Sequence, residues 1–385
     1  MNRIQVVDLV RAFSVLAVMA HHLGFHYITK PSSAYPLAYA WYKIFINGGM
    51  GVTTFFVVSG FVITRLIASQ PGGLFRPDFR DFYARRAGRI LPLLTLTCLW
   101  GILMITLFRN SSHAFEYCFK PPNAQFTTGL WVSIVTFTFY WFKGIFHIPS
   151  TYYGLHWDLL WSLSVEENFY FLYPLLLKKV ANSKNLRRFL LVLIFYPPIF
   201  NTYYYFFQFP AKPTLFFGSL EPFGSLAIGC YLYLTVERFG PALSRDPKTS
   251  SLLCLSGSLL AGWAYFHQDY KVDTWGHIFG NFFLSWGTFL FILGGLHLPF
   301  FHSRRWDFFL RSGVLSYGGY LIHPTILFFF WPFLEGKNDF LAFFIYAATT
   351  FAVADLSYRY FEMPVNFRIR KLIGRSFPAK VKANI

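Results

Sequence analysis

The first apolar segment of the chain contains five side chains that could take part in chemistry. The segment covers residues 6–27, and the five side chains are Asp8, Arg11, His21, His22 and His26. It is long enough to cross a bilayer, yet hydrocarbon penalises each of these ionisable groups. Arg11 and His22 are eleven residues apart, which puts them on one face of a helix about 16 Å apart along its axis. Asp8 lies near the same face. Ionisable residues in this position indicate a functional site.

His22 is the candidate catalytic base, because imidazole can take a proton from a hydroxyl near neutral pH. The alternative is a histidine at a helix end that only hydrogen-bonds a neighbouring helix. His22 and His26 have the i, i+4 spacing of a metal pair, but no third ligand follows at helical spacing, so we expect no metal.

A cluster of arginines begins a later apolar segment. The sequence FYARRAGRILP, residues 82–92, contains Arg85, Arg86 and Arg89. Arg86 and Arg89 share one side of a helix, and two guanidinium groups there suit phosphate recognition. The alternative is ordinary enrichment of arginine at the cytoplasmic ends of membrane helices.

Further polar groups occur inside apolar stretches. Ser59 precedes Gly60 in GGMGVTTFFVVSGF, residues 48–61, where small residues favour close helix packing or the approach of a ligand. Glu166 and Glu167 in WSLSVEENFY, residues 161–170, should face a cavity or an arginine. Tyr320 and His323 share a helix face in SYGGYLIHP, residues 316–324, and Arg359 and Glu362 in SYRYFEMP, residues 357–364, have the spacing of a structural ion pair.

The composition is that of an all-α integral membrane protein, with 55% hydrophobic and 22% aromatic residues. Hydropathy predicts ten membrane helices, at residues 6–27, 42–67, 90–108, 157–177, 189–208, 214–236, 251–267, 275–297, 314–333 and 340–361. With the N-terminus in the cytoplasm, 24 of the 34 Lys and Arg residues fall on the inner side, as the positive-inside rule requires. Anionic lipid headgroups then explain the net charge of +17, and we expect no nucleic-acid partner.

One apolar stretch does not fit this count. Residues 127–147 would reverse every later loop if they crossed the bilayer, so we expect an outer re-entrant or interfacial segment there. The predicted organisation is a single transmembrane domain over residues 1–367 and a basic cytoplasmic tail over residues 368–385. We expect a retained first helix and no fused soluble catalytic domain.

Taken together, these segments resemble the acyltransferase-3 family of integral membrane acyltransferases, typified by bacterial glycan O-acetylases. The resemblance extends over essentially the whole chain, because Arg11-x10-His22 and the motifs above follow in the family's order. The family's Arg-x-x-Arg pattern corresponds to Arg86 and Arg89. Thr53 stands where the family commonly has Asp, which bears on the acceptor preference.

The resemblance implies transfer of an acyl group, usually acetyl, from cytoplasmic acetyl-CoA or another acyl-CoA to a hydroxyl of an extracytoplasmic or lipid-linked glycan. It implies a multi-pass protein of the bacterial inner membrane with both termini in the cytoplasm, and leaves the oligomeric state open. The rival interpretation is a transporter that uses the same intramembrane charges.

The site residues follow from this interpretation. His22 acts as base or nucleophile, Arg11 stabilises the donor or the developing oxyanion, and Glu166 tunes a base or binds sugar. The coenzyme is assigned to Arg85, Arg86, Arg89 and Ser59, and the acceptor to Asp8, Trp161, Tyr320 and His323.

Overall fold

The computed structural model of the chain describes residues 4–27, 36–108, 124–146, 154–207, 220–267, 274–334 and 339–372. Within these ranges the regular elements are helices and no strand occurs, so the all-α prediction is confirmed for the described residues. The α-helices are α1 Gln5–Tyr27, α2 Pro36–Ile46, α3 Gly51–Ala68, α4 Phe79–Phe108, α5 Ala124–Val135, α6 Phe139–Phe146, α7 Gly154–Asp158, α8 Leu160–Val180, α9 Ser183–Phe207, α10 Glu221–Leu243, α11 Pro247–His267, α12 Thr274–Gly295, α13 Asp307–Val314, α14 Ser316–Leu334, α15 Asp339–Ser357 and α16 Met363–Leu372. A 3₁₀ turn, Asn47–Met50, joins α2 to α3, and a π-helical turn, Tyr358–Glu362, joins α15 to α16.

In the described ranges, six helical stretches are long and apolar enough to cross a bilayer. They are Gln5–Gly24, Leu37–Ala68, Phe79–Phe108, Ser183–Phe207, Ile278–Gly295 and Asp339–Ile369. A seventh crossing arises if α14 and the segment Arg304–Val314, which meet at 68°, form one bent span. These stretches overlap seven of the ten predicted spans.

The other three predicted spans are helical but less apolar. Residues 157–177, 214–236 and 251–267 overlap α8, α10 and α11, although 214–219 lie outside the described residues. Much of α8 and of α10 is buried inside the bundle, where polar side chains meet protein rather than lipid. The full ten-span topology therefore stays a prediction.

The stretch 127–147 divides into two short helices, with residue 147 outside the described part. The helices α5 and α6 meet at a turn where Phe137 has a φ of 57°. They contain 12 and 8 residues, which corresponds to about 18 and 12 Å. A bilayer core is about 30 Å thick, so this stretch does not form an eleventh straight span. Its side of the membrane stays a prediction.

Glycines hold α3 and α10 in backbone contact. A Cβ at Gly60 would meet the carbonyl of Leu226, and one at Gly229 would meet the carbonyl of Val57. Close approach of this kind requires small residues, and the packing role expected for Gly60 is confirmed.

One end of the bundle gathers the beginnings of several helices. In α3, Gly51 lies against Ser14 and Ala17 of α1, so the middle of α1 packs on the start of α3. The starts of α3 and α10 are at the same end, because Thr53 and Glu221 both hydrogen-bond to Asn281 of α12. We call this region, which includes His22 near the end of α1, the histidine end.

The predicted domain boundary after residue 367 falls inside a helix. The last described helix, α16, continues through Leu372. Residues 373–385, which include most of the predicted tail, lie outside the described residues.

Candidate active site

Arg86 is held in position from two sides at the start of α4. Its Nη2 donates to Oε1 of Glu167 at 3.2 Å, and its guanidinium lies 3.7 Å from the centre of the Tyr170 ring. Its Nε is buried and has no hydrogen-bond partner among the described residues. A buried guanidinium N–H without an acceptor is costly. An anionic ligand in the adjoining cavity would supply the missing acceptor.

We call the cavity beside Arg86 the arginine cavity. It is lined by residues including Arg11, Ser59, Arg86, Arg89, Glu166 and Tyr170. Three arginines from two helices therefore face one space, and the sequence-based pairing of Arg86 with Arg89 is matched by the geometry. Arg11 joins them although it is distant in sequence.

Arg85 does not take part in this cavity. Its Nε donates to Oδ2 of Asp81 at 2.8 Å on the same helix, and it is absent from the lining of the arginine cavity. The geometry therefore gives no support to the assignment of Arg85 to the coenzyme. The reason is helical geometry, since Arg85 is one residue and about 100° away from Arg86.

Glu166 lies between the arginines and the histidine end. Ser59 of α3 donates its hydroxyl to Oε1 of Glu166 at 2.5 Å, and Arg86 and Arg11 are within electrostatic range of the carboxylate. The sequence predicted that each glutamate faces an arginine or a cavity. Glu167 pairs with Arg86, and Glu166 lines the arginine cavity.

A second cavity, which we call the central cavity, adjoins the first. The two share the wall residues Phe55, Leu163, Glu166 and Tyr317. The other walls of the central cavity are mainly apolar and include Val15 and Val18 of α1. At its far side are Ser162 and Tyr320, whose hydroxyl oxygens are 2.7 Å apart. The cavities thus follow α1 from Arg11 towards His22.

His22 and His323 form a hydrogen-bonded pair beyond the central cavity. Nδ1 of His22 lies 2.9 Å from Nε2 of His323, and Nδ1 of His323 lies 3.3 Å from the carbonyl oxygen of Gly319. A carbonyl only accepts, so in the neutral pair His323 donates from Nδ1 and accepts at Nε2. His22 must then carry its proton on Nδ1, which places its lone pair on Nε2. This is the tautomer that a base or nucleophile needs.

The remaining predicted residues lie at three different places. Tyr320 lines the central cavity and contacts His323, with 5.8 Å between ring centres. Asp8 lines neither cavity; its Oδ1 lies 3.8 Å from Nη1 of Arg11, which makes it a partner of Arg11. Trp161 lines a third cavity instead.

Sequence reasoning missed some neighbours of the arginines. Tyr170 follows Glu167 by three residues, and this helical spacing would have revealed it. The ion pair predicted between Arg359 and Glu362 is wrong: Arg359 binds Asp355 at 2.6 Å, and Glu362 accepts from Ser357 at 3.3 Å. Both belong to the π-helical turn, which changes the side-chain register expected of an α-helix. Glu362 instead lies within electrostatic range of Arg89.

Comparison with known proteins identifies the family of the chain. The profile of the acyltransferase-3 domain matches residues 4–359. The chain belongs to the acyltransferase-3 family. It is 25% identical over 369 residues to O-acetyltransferase OatA of Staphylococcus aureus, covering 93% of this chain and 56% of that protein. It is 28% identical over 387 residues to peptidoglycan O-acetyltransferase OatA of Listeria monocytogenes, covering 93% of this chain and 55% of that protein.

The chain spans about half the length of these relatives. No solved structure matches it. Both relatives are named as O-acetyltransferases. In the described part of the chain, no three His, Cys, Asp or Glu side chains are grouped to hold a metal ion, and the expectation of a metal-free reaction stays a prediction.

Proposed function

We propose that the protein transfers an acyl group, most simply acetyl, from cytoplasmic acyl-CoA to a hydroxyl of an extracytoplasmic or lipid-linked glycan. The observation that carries this proposal is the pair of adjoining cavities that extends from three arginines to Tyr320, whose ring contacts His323. Under the predicted ten-span topology, the arginine cavity opens towards the cytoplasm and the histidine end faces outwards. A thioester donor and a glycan acceptor would thus meet inside the bundle, at the inner membrane of a bacterium.

In this proposal the arginine cavity binds the phosphates of the coenzyme. Arg86 is already oriented by Glu167 and Tyr170, and its Nε has no acceptor among the described side chains. Charge-assisted bonds from guanidinium to phosphate are the strong class of hydrogen bond. Arg11 belongs to this group, because about 16 Å separates it from His22, and it therefore holds the donor rather than the oxyanion. Ser59 and Glu166 form a neighbouring pair that balances the arginine charge.

The pantetheine arm then follows the apolar central cavity and brings the thioester to His22. Nε2 of His22 takes the proton of the acceptor hydroxyl. The hydroxyl oxygen attacks the carbonyl carbon, a C–O bond forms, and the C–S bond breaks. The proton passes to the departing thiolate, which leaves as coenzyme A thiol. Alternatively, the same lone pair of His22 first accepts the acyl group and passes it to the hydroxyl.

The test uses purified protein in liposomes with radiolabelled acetyl-CoA and glycan. The variant His22→Asn retains an N–H donor for His323 but lacks Nε2, and we expect transfer to fall by about a hundredfold or more. Replacing both Arg86 and Arg89 by alanine should raise the KM for acetyl-CoA by at least about tenfold. Arg80→Ala is the matched control, since Arg80 is an exposed arginine near the start of α4 that does not line the arginine cavity.

Full transfer by His22→Asn would overturn the assignment of the base. Movement of glycan or small molecules across the liposome membrane, without coenzyme A binding or a covalent product, would favour the transporter interpretation over the acyltransferase. Label that stays on the protein in the absence of glycan would identify the covalent route.

A further inference from the structure

A third cavity at the histidine end is not used by the reaction as proposed. Its volume is about 260 Å³, which is close to the lower end of the usual range for small-molecule sites. Its lining includes Thr53, Tyr140, Lys143, Trp161, Glu221 and Asn281. These residues come from α3, α6, α8, α10 and α12, so the cavity is a meeting point of five helices. We call it the outer cavity.

One wall of the outer cavity is a chain of hydrogen bonds across three helices. The Thr53 hydroxyl donates to Oδ1 of Asn281 at 3.0 Å. Nδ2 of Asn281 donates to Oε1 of Glu221 at 3.2 Å. These bonds fix the orientation of the amide, and a carboxylate and an amide are groups that can each make more than one hydrogen bond. The wall therefore presents both acceptors and donors in fixed positions.

The opposite wall is aromatic. The ring centres of Tyr140 and Trp161 are 5.6 Å apart, with 36° between the ring planes. Both side chains are half-buried, so each leaves part of its ring to the cavity. An aromatic surface facing fixed polar groups is the usual composition of a site for a ligand with one apolar face and several hydroxyl or amide groups.

The charged groups of the outer cavity favour a neutral ligand over an anionic one. Lys143 donates to Asp158 at 2.5 Å, so its charge is balanced by a carboxylate. Glu221 adds a further negative group. This is the opposite of the arginine cavity, and it favours a neutral polar ligand over a phosphate or a carboxylate.

A single side chain, Phe56, separates the outer cavity from the central cavity. Phe56 lines both the outer and the central cavity. It packs edge-to-face on Trp161, with 6.0 Å between ring centres and 80° between planes. Trp161 also precedes Ser162, which lines the central cavity. A ligand in the outer cavity therefore lies beside the central cavity, which the pantetheine arm is proposed to follow.

We propose that the outer cavity binds one uncharged pyranose ring of the acceptor glycan, with the ring on Trp161 and Tyr140 and its hydroxyl or amide groups on Glu221 and Asn281. This inference rests on the proposed acyl transfer, and assigns the acceptor's position and charge class within it. Phe56 and Trp161 would then separate the bound sugar ring from the donor in the central cavity.

The experiment measures binding and transfer separately with the full chain in nanodiscs. The probes are the neutral oligosaccharides chitotetraose, maltotetraose and mannotetraose, with tetragalacturonate and phosphatidylglycerol as anionic probes. Binding of each probe is followed by saturation-transfer NMR, and coenzyme A binding by calorimetry. The variants are Glu221→Gln and Trp161→Leu. Glu237→Gln is the matched control, because Glu237 is an exposed glutamate on α10 that does not line the outer cavity.

We expect at least one neutral oligosaccharide to bind. Glu221→Gln and Trp161→Leu should each raise its half-saturating concentration in binding and in transfer by fivefold or more. Coenzyme A affinity should stay within twofold of the wild type in both variants, which also shows that they fold. Glu237→Gln should leave all three quantities unchanged.

Three results would overturn the inference. They are neutral-sugar binding that is unaffected by both variants, preferential binding of tetragalacturonate or phosphatidylglycerol, and no binding of any neutral probe by a protein that binds coenzyme A. The proposed acyl transfer fails differently, through a wild-type protein that binds no coenzyme A and transfers no label to any acceptor.

Discussion

Replacing His323 should separate its role in orienting His22 from its role in packing. His323 is fully buried, and Nε2 accepts from Nδ1 of His22 at 2.9 Å. In His323→Leu the space stays filled but this acceptor is lost. In His323→Gln the side-chain carbonyl oxygen can reach the place of Nε2 and accept the same proton. The two variants therefore differ in the hydrogen bond more than in volume.

The magnitude follows from leaving a partly buried N–H without its acceptor, which costs about 1–3 kcal/mol. Applied to the correctly oriented tautomer of His22, this corresponds to a loss of about fivefold to 150-fold in kcat for His323→Leu. We expect His323→Gln to recover most of that loss. The KM for acetyl-CoA should not change, because the arginine cavity lies at the other end of the passage.

The assay is the initial rate of label transfer from acetyl-CoA in liposomes, with protein amount corrected by coenzyme A binding. Equal loss in the leucine and glutamine variants would show that His323 only packs. Wild-type kcat in His323→Leu would refute the orienting hydrogen bond altogether.

Two further predictions concern packing and topology. Gly60→Leu should lower the Tm in detergent and prevent recovery of folded protein, because the new side chain would meet the carbonyl of Leu226. The control is Gly262→Ala, where a Cβ would have no neighbouring atom within 4 Å. Its Tm should be equal or slightly higher, since alanine is favoured over glycine in helices by about 1 kcal/mol. Single cysteines at Lys143 and Ser183 should react with impermeant reagents from opposite sides, with Lys143 labelled from outside. Labelling of both from the cytoplasm would contradict an outer α5–α6 segment.

The helices could be predicted because hydropathy acts locally along the chain. Each of the ten predicted spans overlaps a described helix. Helix boundaries were predicted less accurately where charged residues belong to the helix. For example, α4 begins at Phe79, eleven residues before the predicted start at residue 90. The arginine-rich turns 79–89 are too charged for a hydropathy window, yet they continue the same helix.

The shared position of Arg86 and Arg89 could be predicted because the two are three residues apart in one motif. An arginine partner for Glu167 could be predicted as well, because a carboxylate buried in the membrane needs a cation. The His22–His323 pair was not predictable, since 301 residues separate the two histidines and nothing local in either motif names its partner. The outer cavity was missed for the same reason, except for Trp161.

A single helix without proline, α1, carries both Arg11 and His22. Because the helix is uninterrupted, its backbone hydrogen bonds fix the separation of about 16 Å between the two residues, independently of side-chain contacts. A donor anchored at the arginines therefore presents its thioester at a fixed depth. Val15 and Val18 lie between Arg11 and His22 on this helix and line the central cavity, which the pantetheine arm is proposed to follow. Substitutions at these two positions would therefore change the width of the space for the arm without altering how the phosphates of the coenzyme are held.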